Sequence, residues 1–154
     1  MRLYILLIGL ALLPASVRSQ QPGDTGRAQK RVIQVPGSLP GLPFSSAVQV
    51  GNVIYLSGQV GVLPGTRQLV DTGVTKQTQQ TLENIKAVLT HAGSSMERVF
   101  KCTVFLANMR DYDDMNRAYA VFFPKDPPAR STVAGSGLAL GAKVEIECLA
   151  LAGT

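Results

Sequence analysis

Short runs rich in β-branched and alternating apolar residues predict six strands along the chain. Two of these runs flank Gly51-Asn52, a two-residue turn in which glycine takes a positive φ, so together they predict a β-hairpin. The predicted strands cover residues 32–35, 47–50, 53–57, 98–107, 130–134 and 143–151.

Apolar residues that recur at three- and four-residue steps predict two helices, over residues 74–92 and 111–123. Gly93 suits the position after a helix end, and Pro124 stops the second helix. The order of three strands, helix, strand, helix and two strands predicts one α+β domain over residues 32–154. We expect a mixed six-stranded sheet with both helices on one face.

The segment before this domain has a different character. Met1-Arg2 precedes an apolar run over residues 3–13, and Val17 and Ser19 suit positions −3 and −1 of a cleavage site. Residues 1–19 therefore look like a secretory signal peptide, followed by a flexible linker over residues 20–31, and the run is too short for a stable membrane span. We expect secretion or the secretory pathway. Mitochondrial or cytoplasmic location is the alternative, because arginines recur in this acid-poor stretch.

The formal net charge of +5 is concentrated before the domain. Residues 32–154 carry 10 Lys or Arg and 9 Asp or Glu, so the domain itself has a net charge of +1. The sequence has no Trp, and aromatic residues make up only 6% of it. A nucleic-acid-binding domain needs a basic face and usually aromatic stacking platforms, so we expect no nucleic-acid partner.

The two cysteines, Cys102 and Cys148, both fall within predicted strands. Two cysteines are too few for a disulfide framework, and each alternates with apolar residues, which favours two buried thiols acting as small hydrophobic side chains. A bridge between neighbouring strands stays open if the protein is secreted.

Few side chains are available for catalysis. His91 is the single histidine and no glycine-rich phosphate loop opens a helix, so we expect neither a metal nor another cofactor. Glu145 and Glu147 alternate with apolar residues in the last strand, and Arg130 opens the strand before it. These charges lie either on a solvated surface or in one pocket. In a pocket, the guanidinium would bind a carboxylate, and a glutamate would position water or carry a proton.

Five motifs in register resemble the Rid family of reactive-intermediate deaminases over residues 32–152. The two near the C-terminus, around Arg130 and Glu145, are the most specific. The motifs are Phe44-Ser45-Ser46-Ala47-Val48 with Leu56-Ser57-Gly58-Gln59, Lys101-Cys102-Thr103-Val104-Phe105, Met115-Asn116, Pro128-Ala129-Arg130-Ser131 and Val144-Glu145-Ile146-Glu147.

The resemblance implies a chorismate-mutase-like subunit that forms a homotrimer, with a central barrel of sheets and clefts between subunits. It also implies hydrolytic deamination of 2-imino acids of the 2-iminobutanoate and 2-iminopropanoate type, without a cofactor. Arg130 would then bind the substrate carboxylate, and Glu145 would hold or activate the attacking water. Ser57, Asn116 and Phe44 would line the same cleft.

Three positions depart from the family pattern. Phe44 stands where many members have tyrosine, so a hydroxyl is lost from the cleft. Thr132 replaces a frequent cysteine, and Ala139 replaces the proline usual in the turn over residues 138–141. Phe44 and the leader together keep a second hypothesis open, a non-catalytic protein of the same fold that binds small carboxylates.

Overall fold

The computed structural model describes residues 29–36, 38, 41–70 and 72–153. The predicted leader of residues 1–19 and the linker residues up to 28 lie outside the described residues. The first strand, β1 (Lys30–Ile33), begins two residues inside the predicted linker. Lys30 and Arg31 pair with Val50 and Gln49 of the next strand, so backbone pairing extends the sheet although these side chains are polar and exposed.

Each predicted strand and helix is present, together with one strand that the sequence pattern did not predict. Three short 3₁₀ turns, Met96–Arg98, Met109–Asp111 and Ala139–Gly141, lie between the larger elements. After β1 the elements are β2 (Ala47–Val50), β3 (Val53–Leu56), β4 (Gln59–Val60), α1 (Val74–His91), β5 (Val99–Leu106), α2 (Tyr112–Ala120), β6 (Ala129–Ala134) and β7 (Val144–Leu151).

The strands form one mixed, open sheet in the order β1-β2-β3-β7-β5-β6, with β4 also paired to β7. Among the described strand pairs, β5 and β6 alone run parallel, and the other pairs are antiparallel. The predicted hairpin is confirmed, with Gly51 at a φ of 57° between β2 and β3. The described sheet has seven strands rather than six, because β4 is two residues long and gives no alternating pattern to detect.

Both helices cover one face of this sheet, as predicted. Alternate residues of β7 (Val144, Ile146, Cys148 and Ala150) are buried toward α1, which contacts β7, β4 and α2. The residues between them, such as Glu145, face the other way; we call that side the open face of the sheet. No helix within the described ranges is both long and apolar enough to cross a membrane.

Cys102 of β5 and Cys148 of β7 lie directly opposite each other and form a disulfide, with Cα atoms 4.1 Å apart. The prediction of two free thiols is therefore wrong, and the bridge left open by the sequence is present. The antiparallel register decides this, because it brings two residues 46 positions apart in sequence into adjacent places. Both side chains are only 1% exposed, within the core between the sheet and the helices.

Candidate functional site

Arg130 lies on the helix-facing side of the edge strand β6. It is level with Cys102 in the parallel pairing of β5 and β6, and its side chain extends toward α2. There Nη2 donates a hydrogen bond of 2.5 Å to Oδ1 of Asn116, and Nη1 lies 3.8 Å from Sδ of Met115. The structure thus brings together two residues that the sequence assigned to one cleft, Arg130 and Asn116.

Two tyrosine rings also contact the Arg130 guanidinium. Cζ of Arg130 lies 4.7 Å from the ring centroid of Tyr119 and 5.8 Å from that of Tyr112. The negative face of an aromatic ring attracts a cation, and the attraction grows when water is excluded. Tyr119 also packs on Phe123, with ring centroids 4.8 Å apart. The guanidinium is therefore held in place before any ligand arrives.

Tyr119, which contacts Arg130, is not among the site residues predicted from the sequence. Its side chain is 5% exposed, and its hydroxyl has no hydrogen-bond partner among the described residues. Burial raises the pKa of Tyr119 to about 12, although the nearby positive charge of Arg130 acts in the opposite direction. The Tyr119 hydroxyl is therefore protonated at physiological pH, and the uncharged ring contacts Arg130 through its face.

A cavity of about 490 Å³ opens beside this arginine. Its size falls in the range typical of small-molecule sites. One cation and one amide therefore face a largely apolar wall, which suits a small carboxylate with an apolar side chain. The lining residues are Asn116, Tyr119, Ala120, Phe123, Pro127, Pro128 and Arg130.

Glu145 lies on the open face of the sheet, between the buried residues Val144 and Ile146 of β7. It pairs with Phe105 on one side and with Val60 of β4 on the other. Burial raises the pKa of the Glu145 carboxyl above its ordinary value, and the negative charge of Glu147 raises it further. A raised pKa makes a carboxylate a better proton acceptor and brings the carboxyl closer to the pH at which it can both accept and return a proton.

Ser57 belongs to the segment that borders Glu145, and Phe44 precedes a residue that is hydrogen-bonded to Ser57. Ser57 precedes Gly58, the residue whose backbone lies against the Glu145 side chain. The Ser57 hydroxyl donates a hydrogen bond of 2.7 Å to the carbonyl oxygen of Ser45, next to Phe44. The Phe44 ring itself is 55% exposed, so it is available to a ligand or to a neighbouring chain.

The predicted site residues therefore form two groups within one chain. Arg130 and Asn116, with Tyr119, form the arginine group on the helix-facing side of the sheet. Ser57, Phe44 and Glu145 form the glutamate group, and Glu145 lies on the open face. A single subunit does not bring Arg130 and Glu145 together.

Comparison with known proteins gives the family. The model of the family described as endoribonuclease L-PSP matches residues 38–152. The 2-iminobutanoate/2-iminopropanoate deaminase of Mus musculus is 42% identical over 111 residues, which are 72% of this chain and 82% of that protein. The chain belongs to the Rid family. Reactive Intermediate Deaminase A, chloroplastic, of Arabidopsis thaliana is 41% identical over 108 residues, 70% of this chain but only 58% of that longer protein.

Solved structures of Rid proteins share the fold. RidA from the Antarctic bacterium Psychrobacter sp. PAMC 21119 aligns with a TM-score of 0.73 and 35% identity, over 79% of this chain and 98% of that one. Escherichia coli TdcF with bound serine aligns with a TM-score of 0.71 and 32% identity, over 79% and 98%. The predicted Rid fold is confirmed.

Proposed function

We propose that this Rid protein hydrolyses small 2-imino acids, of the 2-iminobutanoate and 2-iminopropanoate type, to 2-keto acids and ammonia. Relatives at about 40% identity carry the name of this activity. The observation that carries the proposal is the arginine group, in which Asn116 and the Tyr119 ring hold a guanidinium at a cavity of ligand size.

Arg130 binds the substrate carboxylate in this proposal. A guanidinium pairs with a carboxylate through two parallel hydrogen bonds, which fixes the orientation of the ligand as well as its position. Asn116 occupies one donor of Arg130, so the remaining donors define the direction from which a carboxylate approaches. The apolar cavity wall beside it accepts the short side chain of the imino acid.

Glu145 acts on water. Its carboxylate takes a proton from a water molecule as the water oxygen adds to the imine carbon, and it passes that proton to the imine nitrogen, which gives an aminoalcohol. The carboxylate then takes the proton of the aminoalcohol hydroxyl and delivers it to the nitrogen as the carbon–nitrogen bond breaks, so that ammonia leaves and the carbonyl of the keto acid forms. The raised pKa of the Glu145 carboxyl suits both proton transfers.

We propose a homotrimer in which each site lies between two subunits. The arginine and glutamate groups lie on opposite sides of the sheet, so a second copy is needed to complete a cleft. The open face supports this, because it exposes large apolar side chains on several strands, which are costly to leave in water. Among them are Val32, Tyr55, Val133 and Leu151.

The deciding experiment couples the full chain to an amino-acid oxidase that releases 2-imino acids, and follows formation of the keto acid. We expect wild type to accelerate release of the keto acid. Arg130→Ala is expected to lower kcat/KM by at least about 100-fold, because loss of a buried charged partner of the substrate carboxylate costs about 3 kcal/mol or more. The matched control is Arg110→Ala, since Arg110 is exposed and is not among the residues that line the cavity, and unchanged turnover is expected. Full activity in Arg130→Ala would contradict the proposed role.

A non-catalytic carboxylate-binding protein is the second candidate, and Phe44 is the observation that favours it. The ring is exposed beside the Ser45–Ser57 contact and brings no hydroxyl to orient water. In the same assay, an inactive wild type together with an active Phe44→Tyr variant would support this reading. An active wild type rules it out.

We also propose that residues 1–19 direct the chain into the secretory pathway and are then removed. The Cys102–Cys148 disulfide supports an oxidising compartment, since disulfides rarely persist in the cytosol. The relative named chloroplastic supports an organelle as the alternative. N-terminal sequencing of the protein recovered from the medium of expressing cells tests this, with Gln20 as the expected first residue; an intact Met1 inside the cytosol contradicts it.

A further inference from the structure

Gly58 lies where β3 gives way to β4, and the backbone there does not explain why the residue is glycine. Its φ is negative, unlike that of Gly51, so residues with side chains can adopt the same conformation. Both β3 and β4 pair with β7, and Gly58 lies in the short interval between them. The reason for glycine must be sought in the space around it.

That space is occupied by the Glu145 side chain. A Cβ built on Gly58 would overlap Oε1 of Glu145 and lie 2.9 Å from its Cδ and 3.2 Å from its Cγ. These atoms belong to a flexible side chain, so a methyl group here displaces the carboxylate rather than the backbone. Gly61 is different, because a Cβ there meets backbone atoms of Gln77 at 2.7 Å.

The segment that carries Gly58 is held from several directions. The Ser57 hydroxyl is bonded to the carbonyl of Ser45, and Nε2 of Gln59 donates to the carbonyl oxygens of Ser57 at 3.1 Å and Gly58 at 3.3 Å. Val60 pairs with Glu145 itself. When an atom is added at Gly58, the carboxylate of Glu145 therefore moves more easily than this segment.

We infer that Gly58 is a positioning residue, whose missing side chain leaves the place in which the Glu145 carboxylate lies against the backbone. This inference rests on the proposed function, because it assigns Glu145 to the handling of water. Contact with Gly58 covers part of the carboxylate and fixes its direction. Arg130 lies on the other side of the sheet, so binding of the substrate carboxylate does not depend on Gly58.

The variant Gly58→Ala separates the handling of water by Glu145 from the binding of the substrate carboxylate by Arg130. The displaced carboxylate no longer meets the water, so kcat falls by about 100-fold, at the lower end of the contribution of general acid–base catalysis. KM stays within about twofold, because Arg130 is untouched. The carboxylate also becomes more exposed, its pKa falls toward the ordinary value, and the acidic limb of the pH–kcat profile moves to lower pH.

The control is Gly135→Ala, since Gly135 has a negative φ and a Cβ there would have no neighbour closer than 4.0 Å. The two variants and wild type are compared as full chains by steady-state kinetics between pH 5 and 9. A Gly58→Ala variant with the kcat and pH profile of wild type overturns the inference. So does a loss that appears in KM instead of kcat.

A second measurement does not depend on activity. The melting temperature is measured for Gly58→Ala, Glu145→Ala and the double variant, which form a double-mutant cycle. The destabilisation by Gly58→Ala is expected to disappear once the Glu145 side chain is removed, because the overlap is then relieved. Equal destabilisation in both backgrounds overturns the inference. An inactive wild type with a coupled cycle rejects the proposed deaminase function while the Gly58–Glu145 contact stands.

Discussion

At the scale of single residues, one of the contacts of Arg130 was not marked by the motifs. The Arg130 guanidinium is held by Asn116, which belongs to a motif, and by the face of Tyr119, which does not. Tyr119 looked like an ordinary apolar anchor of a helix, because its three- and four-residue spacing is that of a buried face. Contact with a residue 11 positions away leaves no trace in such a pattern.

The Tyr119 ring and its hydroxyl make separate contributions. The hydroxyl is buried without a partner, which costs about 1–3 kcal/mol, so Tyr119→Phe is expected to keep or raise the free energy of unfolding. Tyr119→Leu removes the ring face and raises KM by about 3- to 10-fold, since a cation–π contact is worth about 0.5–2 kcal/mol. Urea unfolding and steady-state kinetics measure both effects.

The KM of Tyr119→Phe is compared with that of wild type, and the two values are expected to agree. A rise in KM for Tyr119→Phe as large as that for Tyr119→Leu would mean that the hydroxyl contacts the ligand. In that case the ring would lose its role as the support of Arg130. Circular dichroism of both variants checks that the fold is retained.

At the scale of elements, β7 organises the molecule. It pairs with β3, β4 and β5, its even-numbered residues form the core, and Glu145 projects to the open face. The alternation of apolar and acidic residues predicted this strand and its two faces correctly. The alternation did not predict which strands pair with β7. Strand β4 was not predicted, because two residues are too few to show an alternating pattern. The break between β3 and β4 is the place where Gly58 meets Glu145.

The Cys102–Cys148 disulfide joins β5 to β7 in the core. Because it closes a long loop in the unfolded chain, the double variant Cys102→Ala/Cys148→Ala is expected to lose about 2–4 kcal/mol of stability. Urea unfolding with and without a reducing agent measures this. The reducing agent should destabilise wild type and leave the double variant unchanged. Equal response of both proteins would mean that the bridge does not form in solution.

At the scale of the whole molecule, one chain keeps the proposed site residues Arg130 and Glu145 apart. Arg130 and Glu145 lie on opposite sides of an open sheet, and large apolar side chains are exposed on the side that carries Glu145. The proposed homotrimer covers that apolar surface and completes each cleft in the same step. Assembly and activity are then linked, so a change that separates the subunits also removes catalysis.

Tyr55→Lys tests this link. Tyr55 is exposed at the centre of the open face, beside Val48 and Leu149, and a lysine there places charge in the proposed interface. We expect light scattering after size exclusion to show trimers for wild type and monomers for the variant, with activity lost. Gln79→Lys, on the exposed side of α1, should stay trimeric and active. A monomeric wild type, or an active monomer, contradicts the shared site.

The sequence by itself determined the α+β class and the positions of both helices and six strands, and it proposed Arg130 and Glu145 as site residues. Short stretches of sequence indicate these features, through apolar periodicity, turn residues such as Gly51 and short motifs. Only the tertiary structure decided which residues meet: Cys102 with Cys148, Tyr119 with Arg130, and Gly58 with Glu145. Strand register and helix packing set these contacts, and both depend on pairings between distant parts of the chain that a local pattern does not record.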